Sequence, residues 1–279
     1  MERSDRQCIL CNGMERTLLL RQEEWTIYKC KNCGLGFLDP RPDQAERGRL
    51  YQDSYFLSHY DRGLPIDSPE MKRRLSQENH RIRFFRNVKR QGRGYFLHAC
   101  RLIGYDVQGI ELSSDSSAYV RDELKIPIIT GEIEALHIEN GSFDIVTMWH
   151  FLEHTPNPGL YLKKARQWLK ADGILIVDVP NHEGVDARKM GPSWREWSIP
   201  YHLYHFTPTT LISLLSQYGF RVIRQKTYLS EYIEERIERI PLASLFARPI
   251  ARCFSGHSIA VLARQETINA EARQHPEKT

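Results

Sequence analysis

The chain has 279 residues, 41% hydrophobic and 27% charged. These are ordinary values for a globular protein of one or two domains, and they exclude collagen-like, disulfide-scaffold and wholly disordered chains. Lys+Arg 39 against Asp+Glu 35 leaves +4, too little to demand a polyanionic partner. No apolar run approaches the ~18 residues of a membrane span. The charged start, Met1 to Gln7, lacks the apolar core of a signal peptide. A cytoplasmic protein is expected, where disulfides are rare, so six cysteines need another explanation.

Four of them form two pairs, Cys8 with Cys11 and Cys30 with Cys33, and 18 residues separate the pairs. Two residues between thiolates let a tight turn aim both sulfurs at one metal, and two such turns complete a tetrahedral shell. A zinc ribbon is predicted over residues 1–45, its metal structural because four protein ligands leave no position for water or substrate. Gly13 and Gly34 follow the turns, where a positive φ is expected. Trp25 to Lys29 alternates like a strand. Cys100 and Cys253 are isolated and are expected in the core.

Residues 46–80 are predicted to form a linker and helical segment. Tyr51, Tyr55, Phe56 and Tyr60 make an aromatic cluster, read as packing the ribbon onto the main domain. Met71 to Arg93 is strongly basic, and Ile82, Phe85 and Lys89 lie at helical spacing. Such charge could meet phosphate or RNA, but no base-stacking motif accompanies it, and a solvated helix face is the preferred reading.

From residue 81 to 265 strands and helices alternate. Tyr105 to Leu112 reads as a strand ending in an acid, Ser114 to Leu124 as a helix, and Ile126 to Thr130 and Phe143 to Trp149 as strands. Asn157 and Pro158 supply an N-cap and a first-turn proline for a helix stopped near Gly173. Gly173 to Val179 is nearly all apolar, as a strand buried on both faces should be. Thr207-Pro208 opens another helix, closed by Gly219. Two final strands, Phe220 to Tyr228 and Ser258 to Ala263, flank a helical insertion over Glu231 to Phe246. The predicted fold is α/β, a doubly wound, mostly parallel, Rossmann-like sheet. Residues 266–279 are expected to be a disordered tail.

Ligands of such sheets bind beyond the carboxyl ends of the strands. Glu111 ends its strand, and a carboxylate there can accept from both hydroxyls of a ribose. Gly92 and Gly94 lie upstream at the spacing of a nucleoside-binding turn. Glu132 and Ile133 can offer adenine a polar edge and an apolar wall. His150 ends the fourth strand, and His150-x2-Glu153-His154 only superficially suggests metal ligands; a metal is disfavoured there, because Pro156 and Pro158 would interrupt a helix gathering them. His202 and His205 precede the helix at Thr207 and are candidate bases; the alternative for both is a structural role, one capping the helix and one packing on Trp194 or Trp197. Trp194, Trp197, Tyr201 and Tyr204 read as an acceptor wall or a covering lid.

Ser142 to Pro158 resembles the fourth-strand motif of class I S-adenosylmethionine-dependent methyltransferases, and Leu169 to Pro180 their fifth-strand motif. Tyr201 to Pro208, with Gly219-Phe220, resembles the ubiquinone-biosynthesis-like subgroup, some members of which carry a zinc ribbon followed by a segment like Gly34 to Pro40. The resemblance implies cofactor contacts by Gly92, Gly94, Glu111, Leu112, Glu132, Ile133 and His150. It implies methyl transfer from S-adenosyl-L-methionine to a small-molecule or sugar-like acceptor, with Zn2+ in the ribbon at Cys8, Cys11, Cys30 and Cys33. One part departs from the family: Phe85 to Leu97 keeps only the last glycines of the first motif, without its apolar strand and acid. That opens one alternative, a catalytically weak or inactive methyltransferase-like zinc-ribbon scaffold; the ribbon and the basic helix carry another, RNA modification or binding.

Overall fold

The computed structural model describes residues 7–50, 63–85, 94–111 and 114–266. At the front of the chain two similar turns hold the cysteine pairs. The amide of Asn12 donates to the carbonyl of Cys8, and that of Gly34 to the carbonyl of Cys30. The residue four beyond the first cysteine must then turn left-handed. Gly34 does so at φ +83, and Asn12 at φ 56, asparagine being one of the few residues that tolerate it. Gly13, expected in that role, instead sits where a Cβ would meet the Asn32 side chain at 2.7 Å.

Strands β1 (Arg16–Gln22), β2 (Trp25–Cys30) and β3 (Gly36–Leu38) form an antiparallel ribbon. A fourth strand joins it from far along the chain: β8 (Tyr204–His205) pairs antiparallel with β3, Gly36 opposite His205 and Phe37 opposite Tyr204. A Cβ on Gly36 would stand 2.8 Å from the His205 Cβ. Gly36→Ala is therefore expected to cost about 1–3 kcal/mol by overpacking, read as a lowered urea midpoint.

Helix α1 (Gln44–Leu50) follows, then α2 (Pro69–Phe85). Helix α2 buries Met71, Glu78 and Ile82 along one side, the i, i+7, i+11 line of an amphipathic helix. Phe84 is buried as well. Glu78, 2% exposed, is clamped by Arg81 at 2.8 Å and Arg74 at 3.5 Å. Two arginines of the basic stretch, expected on a solvated helix face, thus neutralise a buried acid. Arg86, Lys89, Arg90 and Arg93, the aromatic cluster Tyr51 to Tyr60, and residues 267–279 of the tail lie outside the described residues.

The main domain continues through α3 (Gly94–Leu102), β4 (Gly109–Glu111), α4 (Ser114–Ala118), β5 (Ile128–Thr130), β6 (Phe143–Trp149), α5 (Pro158–Trp168) and β7 (Leu169–Pro180). After α6 (Val185–Met190) come β8, α7 (Pro208–Gln217), β9 (Phe220–Thr227), α8 (Glu231–Glu238), α9 (Ala247–Ala251) and β10 (Ser258–Gln265). Asn157 caps α5, accepting from the amide of Leu160 at 3.2 Å. Thr207 and Thr210 form a reciprocal capping box on α7, and Gly219, φ +72, ends it. Helix α5 stops at Trp168 rather than near Gly173, because β7 begins immediately at Leu169.

Among the described residues the strands of the main domain are mostly parallel, as expected, with β10 the one reversed strand, so that β7 and β9 on either side of it run the same way. β4–β5 and β6–β7 are parallel, while β7–β10 and β10–β9 are antiparallel. Alternation along the strands separates two apolar layers. Leu175, Val177, Val179, Ile259 and Val261 face a core shared with α5, α7 and the ribbon residues Ile27, Leu35, Phe37 and Leu38. Ile145, Ile174, Ile176, Ala260 and Leu262 face α2 and α3. Cys100 is buried in that second core, as expected. Cys253 is not: it is exposed at the end of α9, since the insertion leaves its outer side to solvent.

Among the described residues the sheet is in two pieces, β4–β5 and β6–β7–β10–β9. The edges of β4 and β6 face a common cavity of about 110 Å³, lined by Gly109, Ile110, Ile133, Ile145, Met148 and Phe151 among others. The break falls where the sequence lacks the apolar strand of the first motif. Among the described residues, no helix is long and apolar enough to cross a membrane.

Candidate functional site

The carboxyl ends of β4, β5 and β6 supply the predicted cofactor residues. Glu111 ends β4, half-buried, opposite Thr130 of β5. Its carbonyl accepts from the amide of Gly131, whose φ of +145 suits the turn leaving β5. Glu132 then caps a short helical turn that buries Ile133 to 3% exposure. Ile110 and Ile133 line the cavity that Met148 and Phe151 line from the β6 side, so both halves of the site border one apolar space. Gly94 opens α3. Gly92 and Leu112 lie outside the described residues.

His150 follows β6 with φ 44, its amide bonded to the carbonyl of Asp178. This left-handed bend turns the imidazole among three carboxylates. Nδ1 is 3.5 Å from Glu153 and 3.9 Å from Glu196, and Nε2 is 3.9 Å from Asp178. Burial pulls its pKa down, but Glu153, Asp178 and Glu196 outweigh burial and hold it at about 9. Asp178 is 1% exposed within β7 and accepts from the Tyr228 hydroxyl at 3.0 Å. Burial raises its pKa against the pull of His150. Its one sequence signal is an acid inside an otherwise apolar strand, which the sequence reading left without a role.

Glu153 is 0% exposed, and neither of its carboxylate oxygens accepts a hydrogen bond. Burial would raise its pKa, but His150, His154 and His202 together hold it below the ordinary value. His154 and His202 lie ring to ring, centroids 4.4 Å apart. The segment before β8 is stitched to the turn Leu152–His154. The amide of Leu203 donates to the Glu153 carbonyl at 2.8 Å, and the Tyr204 hydroxyl to the Pro156 carbonyl at 3.2 Å.

The two candidate bases have different surroundings. His202 is 4% exposed, with Nδ1 2.8 Å from the Glu196 carbonyl; burial lowers its pKa. His205 is 2% exposed, neither ring nitrogen has a partner, and burial pushes it well below its ordinary value. It packs 5.3 Å from Trp197 and pairs through β8 with the ribbon. Trp194 and Trp197 are buried edge to face at 5.1 Å, and the Trp197 indole donates to the Gly191 carbonyl. They belong to the core shared with the ribbon.

In the ribbon, the sulfurs of Cys8, Cys11, Cys30 and Cys33 lie within 4.8 Å of one another. Cys8 to Cys33 and Cys11 to Cys30 are each 3.5 Å. Tetrahedral zinc–sulfur bonds of about 2.3 Å place sulfurs ~3.8 Å apart, so the cluster fits such an ion closely. All four are free thiols.

Residues 91–225 match the family model described as a methyltransferase domain. No curated protein matches the chain. Among solved structures, the fold is similar to that of an S-adenosylmethionine-dependent methyltransferase from Archaeoglobus fulgidus. Identity is 20% and the TM-score 0.53, over 70% of this chain and 94% of that one. It is also similar to a chain from the complex between the Haloferax volcanii Trm112 methyltransferase activator and a methyltransferase, at 16% identity and TM-score 0.52, covering 77% and 98%. The PH0226 protein from Pyrococcus horikoshii gives 16% identity and TM-score 0.50, covering 76% and 99%. Residues 91–225 thus resemble a methyltransferase domain, and the fold is similar to that of S-adenosylmethionine-dependent enzymes.

Proposed function

We propose that the chain transfers a methyl group from S-adenosyl-L-methionine to a small-molecule or sugar-like acceptor, as a zinc-ribbon member of the ubiquinone-biosynthesis-like subgroup. The observation that carries this reading is that Ile110, the residue before Glu111, and Ile133 line one apolar cavity together with Met148 and Phe151 from the end of β6. Glu111 would accept from the ribose hydroxyls, and Glu132 and Ile133 would flank adenine. When bound, the cofactor supplies a methyl group on a sulfonium, open to in-line attack by an acceptor lone pair. The chain's part is alignment: His150, fixed by its backbone bond to Asp178 and by three carboxylates, holds the position beside the methyl. Of the two candidate bases, His202 carries its lone pair on Nε2, because Nδ1 is engaged by Glu196. His205 is assigned to packing. The ribbon cysteines would hold structural Zn2+. The free thiols fit a reducing, cytoplasmic setting.

Calorimetric titration of the full chain with S-adenosylmethionine tests this reading. Binding is expected, and Glu111→Ala should weaken it about 10–100-fold, the worth of hydrogen bonds to a charged group. No binding by well-folded protein would overturn the enzymatic reading.

The departure of Phe85 to Leu97 from the first motif carries a second reading, a catalytically weak or inactive methyltransferase-like scaffold, which the same titration separates. The third, an RNA-modifying enzyme, is disfavoured by the pairing of Arg74 and Arg81 with buried Glu78.

A further inference from the structure

We propose that Glu153, His154 and His202 form a second metal site, taking a divalent transition-metal ion such as Zn2+, Mn2+, Fe2+ or Co2+. Among the described residues, two groups of side chains could hold an ion, the four cysteines and this one. The donor atoms of the three lie within 4.8 Å of one another. Bonds of about 2.0–2.2 Å to imidazole and carboxylate need donors ~3–4 Å apart, so small side-chain rotations close the set on an ion.

Two features separate this cluster from a chance meeting of polar groups. Glu153 is fully buried, and both its oxygens lack a donor. His150, 3.5 Å from Oε1, offsets part of the cost of burying that carboxylate, and an ion among the three donors would answer Oε2 as well. The imidazoles are already oriented as ligands. Nδ1 of His154 lies 3.1 Å from the Tyr201 carbonyl and Nδ1 of His202 lies 2.8 Å from the Glu196 carbonyl. Each Nδ1–H donates to backbone, which leaves the lone pair on Nε2, the arrangement typical of metal-bound histidine.

The prolines at 156 and 158 do not prevent the gathering. A single helical turn, Leu152–His154, presents two of the ligands, and the third arrives from the distant segment before β8. Nitrogen and carboxylate donors select a borderline transition metal over calcium or magnesium. Three protein ligands leave a coordination position open, unlike the closed thiolate site of the ribbon. His150, 3.5 Å from Glu153, places the site next to the methyl-donor position of the proposed reaction. Metal binding itself does not depend on that reaction, and an ion held by Nε2 of His202 would take the lone pair that the base role needs, so the two roles exclude each other.

The test uses the full chain, stripped with a chelator and titrated with Co2+. Thiolate-bound cobalt absorbs strongly in the near ultraviolet, whereas a nitrogen–oxygen site shows only weak visible bands. Two equivalents are expected, the second without thiolate absorption. Glu153→Gln and His154→Gln should each remove the second equivalent and leave the thiolate band intact, which also reports that the ribbon remains folded. Wild-type protein whose bound cobalt is all thiolate-ligated would overturn the proposal. So would a non-thiolate equivalent that persists in both variants. If the ribbon takes no metal, the visible bands alone decide, and a null methyl-transfer assay has no bearing on them.

Discussion

Cys30→Ser is expected to release the zinc proposed for the ribbon and destabilise the whole chain. Structural zinc binds with an apparent ~10–16 kcal/mol in small peptides, comparable to the total stability of a domain, about 5–15 kcal/mol. Here the loss would not stay local. Ile27, Leu35 and Leu38, each at most 1% exposed, belong to the core that also holds Val177, Leu211 and Phe220. Unfolding the ribbon uncovers that layer. Mass-spectrometric zinc content should fall by about one per chain and the melting temperature should drop. Folded wild-type protein without zinc, or a variant melting like wild type, would overturn the assignment of the cysteines.

Tyr204→Ala should be nearly as damaging, at about 3–5 kcal/mol, the range for truncating a fully buried large aromatic. Tyr204 is 1% exposed, pairs with Phe37 of the ribbon and bonds to the Pro156 carbonyl. Arg41 also donates to its hydroxyl. Tyr204→Phe keeps the ring and removes those bonds, for about 1–3 kcal/mol. Urea denaturation followed by tryptophan fluorescence and by far-ultraviolet circular dichroism should show coincident single transitions. Separate transitions for ribbon and domain would mean that β8 does not couple them.

These two results depend on a feature that local pattern could not supply. The ribbon was legible as Cys-x2-Cys pairs around an alternating strand, but its attachment through Tyr204 and His205 was not, because a two-residue strand has no periodicity to read. His202 and His205 looked alike as histidines ahead of a capped helix. The structure separates them by what surrounds each ring, a backbone carbonyl at Nδ1 for one and only packing for the other.

Some features of this protein follow from the sequence alone, because they involve residues a few positions apart. Among them are the cysteine turns, the caps at Asn157 and Thr207, the apolar run of β7 and the acid ending β4. In each, bond geometry and helix or strand period leave little choice of conformation. The departure of Phe85 to Leu97 from the first motif was also visible in the pattern. Tertiary structure decided what depends on where the chain returns. It set β10 in reverse between β7 and β9 and opened a cavity between β4 and β6. It exposed Cys253, buried Glu78 between arginines, and brought His202 to Glu153 and His154 across 48 intervening residues. Contacts over such separations are selected by the burial of whole layers, and no short stretch of sequence carries that information.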